Sequence, residues 1–187
     1  LEFRRVLFRS LPLYAYNIPS TVKTRVEIDT IVQLATEGTV AGIKDSQGDL
    51  PWARELAMAV ATAGVPLRIF LGSKAMTEVA LIPGIHGCIP GIANVVPRAC
   101  VDAWHQTGRG NIDAARVAQA TVHAAMGLLD LTGGGRHARS FGGMKAALAS
   151  IGVISHPTLA SPLHTPTPDE VAAVGARARA VGVAIPA

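Results

Sequence analysis

Lys44 is the residue best placed to do covalent chemistry. It ends the apolar run Val40-Ala41-Gly42-Ile43 and is followed by Asp45-Ser46-Gln47-Gly48-Asp49, small and polar residues that lead into a helix start. Such a run reads as a buried strand with its charge at the C-terminal tip, where α/β folds place their chemistry. The chain has four lysines: Lys23, Lys44, Lys74 and Lys145. Lys23 sits in a polar turn, Lys74 opens a short helix, and Lys145 lies inside the helical run Met144-Lys145-Ala146-Ala147-Leu148. Lys44 alone follows a core strand directly. Burial disfavours an ammonium ion, and the neutral amine that results is a nucleophile towards carbonyl carbon. The competing reading is a strand-end lysine that extends its charge into solvent.

Other chemistries find less support. Cys88 and Cys100 lack metal-type spacing and cannot build a disulfide framework, which suits a reducing cytosol. The six histidines are dispersed, so no metal is expected. Gly133-Gly134-Gly135 follows a helix and precedes no strand–helix turn, so it reads as a flexible connection and not a phosphate loop.

The elements that must position Lys44 can be read from the punctuation. Leu11 to Asn17 is an apolar run with two tyrosines, read as a strand and ended by Ile18-Pro19-Ser20. Glu27 to Thr36 carries helical spacing, with Gly38 as its stop. After the Lys44 strand, Asp49 is a plausible N-cap with Pro51 in the first turn, and the helix ends at Gly64. Val65 to Leu71 is the next strand, halted by Gly72-Ser73. A helix of about two turns runs to Leu81, and Ile85 to Ile89 forms a fourth strand. Four strand–helix units with short connections predict a parallel sheet with crossover helices. Beyond Asn94 the pattern is helical only. It gives helices over Pro97 to Thr107, from an Asn111 cap to Leu129, and over Phe141 to Ile151. A last helix opens on the capping box Thr167-Pro168-Asp169-Glu170 and ends near Gly182. The proline-rich stretch from His156 to Pro168 reads as a loop.

Composition narrows the class. The chain has 187 residues, 49% hydrophobic and 16% charged, which marks it as globular. The net charge of +4 is scattered and aromatics are few, which argues against a nucleic-acid surface. No apolar stretch is long enough to span a bilayer and no signal peptide is evident, so a cytoplasmic location is expected. Residues 1–10, LEFRRVLFRS, differ in character from the alanine- and valine-rich remainder. They read as a cloning or assembly scar, the alternative being an interfacial basic helix.

With strand, lysine and alternation in hand, the sequence resembles the dihydrodipicolinate synthase and N-acetylneuraminate lyase family. YNIPS at Tyr16 to Ser20 looks like the family's tyrosine motif, and GIKDSQGD at Gly42 to Asp49 like its Schiff-base lysine motif. HGCIPGIANVVP, from His86 to Pro97, resembles the last barrel strand and its turn. The resemblance implies a (β/α)8 barrel with a C-terminal helical domain, and usually a homotetramer. Only four strands are legible, so the expectation is the C-terminal half of such a barrel over 11–108, then the helical domain over 109–187. A full barrel takes about 250 residues. The first four strands are then expected to lie outside this chain, together with the hydroxyl pair that holds the substrate carboxylate. Negligible turnover is expected from the chain alone.

The resemblance also implies roles. Lys44 forms an imine with the keto carbon of pyruvate or another 2-oxo acid, and Tyr16 relays the proton. Taken without the motif, Tyr16 reads as a half-buried strand tyrosine. Ile89 faces the pocket through its backbone carbonyl. Gly72 and Ser73 end their strand where similar proteins contact the acceptor, though Ser73 reads equally as a helix cap. Asn94 fixes the turn. Synthases proper carry an arginine two residues beyond the motif's proline, where this chain has Thr21, the position expected to choose the acceptor. The implied function is a pyruvate-dependent class I aldolase or lyase acting on a 2-oxo acid and an aldehyde, without exogenous cofactor or metal. The alternatives are 4-hydroxy-tetrahydrodipicolinate synthase itself, a deoxy-keto sugar acid dehydratase, and an inactive barrel remnant that binds small acids or serves as an oligomerisation scaffold.

Overall fold

The computed structural model describes residues 11–183; the proposed scar at 1–10 lies outside them. The chain is α/β. Among the described residues it has four strands, β1 (Tyr14–Asn17), β2 (Gly42–Asp45), β3 (Arg68–Leu71) and β4 (Gly87–Cys88). Eight helices accompany them: α1 (Pro19–Val22), α2 (Ile28–Thr36), α3 (Leu50–Ala63), α4 (Met76–Ala80), α5 (Pro97–Gly108), α6 (Ile112–Met126), α7 (Arg136–Ser150) and α8 (Pro168–Ala180). By internal packing the chain divides into two compact units, Leu1–Pro90 and Gly91–Ala187. That division concerns packing and is separate from the expected boundary after Gly108, which concerns where a barrel's last helix ends. None of the helices searched among the described residues is long and apolar enough to cross a membrane.

In the first unit the strands form one parallel sheet in chain order, β1-β2-β3-β4. The predicted helices α2, α3 and α4 lie in the three crossovers, and α1, which the sequence did not signal, precedes α2 in the first. Asp49 caps α3 by accepting from the Trp52 N–H at 3.0 Å, and Gly64 ends it at φ 65°, a left-handed turn that glycine adopts without a Cβ clash. The strands are shorter than the apolar runs that contain them. β4 keeps two ladder residues, and the ladder position before it is filled by a side chain, with His86 Nδ1 accepting from the Ile69 N–H at 3.1 Å.

Alternation along the strands gives the sheet two different faces. Ile43, Ile69 and Leu71 point to the buried side, at 0%, 0% and 3% exposure, where they join Ile31, Leu56 and Val79 in the core. The register puts Tyr16, Lys44 and Phe70 on neighbouring rungs of the other face. That face is open: Tyr14 and Tyr16 are exposed, and Lys44 and Phe70 half-buried.

The second unit is helical, with a core of Val122, Leu128, Ala146, Ala147 and Val174. α7 begins at Arg136, five residues before the expected Phe141, and runs through Gly142 and Gly143. The glycines serve close packing there, since a Cβ on Gly143 would lie 2.5 Å from the Leu128 carbonyl oxygen and 2.8 Å from Leu129 Cα. α8 opens on the predicted capping box. Its Glu170 also reaches back 37 residues, accepting from the Gly133 N–H at 2.6 Å and pairing with His164 Nε2 at 3.0 Å. The glycine-rich connection is therefore held by a carboxylate.

Candidate active site

Parallel pairing sets Tyr16 opposite Lys44 and Asn17 opposite Asp45, at the C-terminal ends of β1 and β2. Because the strands run side by side, two residues 28 positions apart in sequence meet on the open face. Lys44 Nζ donates to the Tyr16 hydroxyl at 3.0 Å and stands 4.2 Å from the centre of the Tyr16 ring. It also donates to the Ser46 hydroxyl. The Lys44 nitrogen thus has two oxygen partners and an aromatic face. These contacts act on the phenol in turn: the hydrogen bond with Lys44, then that with Ser46, hold Tyr16 below the ordinary tyrosine range. A phenol that yields its proton more readily, beside an amine, is suited to proton transfer.

Gly72 completes this group. Its N–H donates to the Asp45 carbonyl at 2.6 Å, so the chain after β3 stays beside the chain after β2. A Cβ there would meet the Ser46 hydroxyl and lie 3.2 Å from both Lys44 Nζ and the Asp45 carbonyl oxygen. The bare glycine makes room for the amine and the hydroxyl together. Gly42 does the same below: a side chain there would strike the Tyr14 ring, and its absence lets Tyr14 lean towards Phe70, ring centres 6.1 Å apart. Lys44 therefore rises beside an aromatic floor.

Of the sequence-derived site residues, Lys44, Tyr16 and Gly72 come together. The Ser73 hydroxyl accepts from the Ala75 N–H at 3.1 Å, closing a turn ahead of α4; it is not the helix cap, since the N-cap position is Ala75 and carries no side-chain cap bond. Ile89 follows β4, its N–H bonded to the Leu71 carbonyl at 2.8 Å and its side chain exposed. Thr21 lies exposed in α1. Among the described residues no hydrogen bond joins any of these three to Lys44. Asn94 Nδ2 donates to the Gly91 carbonyl at 2.8 Å, closing its turn. The other lysines behave as separate structural groups where their contacts are defined: Lys23 Nζ donates to the Ser20 carbonyl and Lys145 Nζ to that of Thr158.

Ser46 is the partner that sequence reading overlooked. It stood inside the lysine motif, two residues after Lys44, but a serine in a polar turn carries no signal of direction. The buried pair behind the site was also overlooked, since Asn17 and Asp45 read as strand ends. Among the described residues, no group of three or more His, Cys, Asp and Glu side chains could hold a metal ion.

Comparison with known proteins adds an independent line. Residues 3–180 match the model of the dihydrodipicolinate synthetase family. An uncharacterized DapA-like lyase of Halobacterium salinarum is 33% identical over 176 residues, which cover 94% of this chain and 54% of that protein. A 4-hydroxy-tetrahydrodipicolinate synthase of Ralstonia nicotianae is 32% identical over 117 residues, covering 62% of this chain and 39% of the relative. Among solved structures, dihydrodipicolinate synthase from Bacteroides thetaiotaomicron superposes with a TM-score of 0.82 at 25% identity, covering 96% of this chain and 60% of that one. The chain spans about half the length, or less, of the curated relatives it matches.

Proposed function

This chain belongs to the dihydrodipicolinate synthetase family, and from that premise we propose that it carries the imine-forming centre of a pyruvate-dependent class I aldolase or lyase. The observation that carries the reading is the 3.0 Å contact between Tyr16 Oη and Lys44 Nζ on adjacent rungs of a parallel sheet. The neutral Lys44 amine attacks the keto carbon of a 2-oxo acid, and the resulting carbinolamine loses water to give a protonated imine. Tyr16 carries protons between the amine, the departing oxygen and solvent. The imine then accepts the electron pair released when the neighbouring carbon loses a proton or breaks its bond to a former aldehyde carbon. In the synthetic direction the enamine attacks the aldehyde, whose oxygen takes up a proton. Ser46 keeps the amine aimed, and Gly72 leaves it space.

In this reading residues 11–108 supply four strands of an eight-stranded barrel and 109–187 form its helical appendage. The full-length enzyme is a cytoplasmic homotetramer that needs no exogenous cofactor. Borohydride reduction of the full-length enzyme in the presence of pyruvate, followed by peptide mass mapping, tests the chemistry. One adduct at Lys44, absent in Lys44→Ala, is expected. Labelling at Lys74 or Lys145 instead, or no adduct, would reject it.

For the acceptor we favour a neutral, hydroxylated aldehyde. A carboxylate-ended acceptor calls for a planar guanidinium that grips it by two hydrogen bonds, and Thr21 offers one hydroxyl. Losing such a contact costs about 1.5–3 kcal/mol. The second reading, 4-hydroxy-tetrahydrodipicolinate synthase, draws support from the name of the Ralstonia relative. An aldehyde panel on full-length enzyme separates them. A semialdehyde preferred by about tenfold or more, and not improved by Thr21→Arg, would favour the synthase.

A further inference from the structure

One rung beyond Tyr16 and Lys44, on the reverse face of the sheet, lies a pair of buried polar side chains. Asn17 is 1% exposed and Asp45 is 3% exposed. Asn17 Nδ2 donates to Asp45 Oδ1 at 2.7 Å. The remaining atom of each head group is also used: Asn17 Oδ1 accepts from the Val26 N–H at 3.1 Å, and Asp45 Oδ2 from the Gln47 N–H at 3.3 Å. The backbone repeats the tie, with the Ser46 N–H donating to the Asn17 carbonyl at 2.8 Å. Two strand ends, the connection into α2 and the turn that carries Ser46 are thus fastened at one point.

Burying a carboxylate is unfavourable, and desolvation indeed pushes the Asp45 carboxyl up, with the Asn17 bond opposing. Two apolar side chains would fill the same volume without that cost. What they would not supply is direction, because a hydrogen bond constrains angle as well as distance. We infer that Asn17 and Asp45 are positioning residues: their bond on the buried face fixes the separation and orientation of Tyr16 and Lys44 on the open face. The consequence for catalysis rests on the imine chemistry proposed above; the geometric claim does not.

Donor and acceptor counting supplies the test. In Asp45→Asn, the new amide cannot accept from both Asn17 Nδ2 and the Gln47 N–H, so one bond is lost. In Asn17→Asp, two carboxylates face each other without a proton between them. In the swap Asn17→Asp/Asp45→Asn every partner is regained: the carboxylate now on β1 accepts from the Val26 N–H and from the amide now on β2, whose oxygen accepts from Gln47. The swap moves the negative charge to the other strand, so recovery there reports geometry and not charge.

The chain has two tyrosines, so a Tyr14→Phe background isolates Tyr16 in an ultraviolet phenol titration. Each single variant is expected to raise the Tyr16 midpoint, because the Lys44 contact loosens, and the swap to restore it. Pyruvate-imine trapping at Lys44 should fall by about tenfold or more in the single variants and return in the swap. A purely structural role would lower resistance to denaturant without moving the phenol midpoint of folded protein. Equal midpoints in parent and single variants, or a swap that restores nothing, would overturn the inference. Absence of the adduct in the full-length parent enzyme would reject the imine reading while the phenol midpoints still judge the pair. If Asn17→Asp does not fold, Asp45→Asn against the swap gives the same comparison.

Discussion

Adding one methyl group at Gly72 should disarm the site while leaving the fold nearly intact. The new Cβ would collide with the Ser46 hydroxyl and touch Lys44 Nζ and the Asp45 carbonyl oxygen, both at 3.2 Å. The carbonyl is backbone, fixed by its 2.6 Å bond from Gly72 itself, so the hydroxyl has to rotate away. That breaks the Lys44–Ser46 hydrogen bond. A hydrogen bond that aims the neutral amine is worth about 0.5–1.5 kcal/mol. About 1.4 kcal/mol is a factor of ten in rate, so imine trapping with pyruvate should slow by up to about tenfold. Stability should fall by only about 1 kcal/mol, the low end for overpacking, because a side-chain rotor gives way. Ser46→Ala removes the same bond by another route. The two substitutions share one loss, so the double variant should trap no more slowly than either alone. Peptide mass mapping of the borohydride adduct over time gives the rates, and urea melts give the stabilities. Gly72→Ala trapping at the parent rate, or a double variant slowed by the product of the two effects, would refute the argument.

Tyr16→Phe should leave a trappable imine at Lys44 but slow exchange of the pyruvate methyl protons with heavy water by ~10²–10⁴-fold, as read by proton NMR. Bonds from the Thr167 backbone, then His164, hold the Glu170 carboxyl down at about 2 from an ordinary 4.5. Its folded value is depressed, so its contribution to stability is complete above pH 4.5 and is lost as pH falls through about 2; Glu170→Gln should flatten the acid limb of a stability–pH curve over that window. Gly143→Ala should destabilise the helical unit by about 3 kcal/mol or more in a denaturant melt, because the clash is with backbone of Leu128 and Leu129 that cannot rotate aside. Burial raises the Cys100 thiol, so it should alkylate far more slowly in native protein than in urea.

Local signals in the chain were enough to read the order of the four strands, the longer helices and the place of Lys44. Those are local properties: β-branched apolar runs, glycine and proline stops, and caps such as Asp49 and Thr167 act within a few residues. Parallel pairing followed from the length of the crossovers, since a parallel neighbour needs a connection long enough to return. The tyrosine and lysine motifs pointed to one centre. Their side chains do meet, because two residues at equivalent rungs of adjacent parallel strands share a face.

Which oxygen atoms surround the amine, and what lies behind them, depends on how distant segments pack. The direction of the Ser46 hydroxyl depends on the turn after β2, which is fixed by the Asn17 carbonyl 29 positions earlier in the chain. Asn17 and Asp45 look like polar strand ends until the register turns both inward and sets them opposite each other. The expected helix over Phe141 to Ile151 already contained Gly142 and Gly143, but only the packing shows why glycine is used there, since the backbone of Leu128 and Leu129 leaves no room for a Cβ on Gly143. In each case the deciding contact joins residues far apart in sequence. Periodicity carries no information about such a contact, because it depends on register and packing in three dimensions.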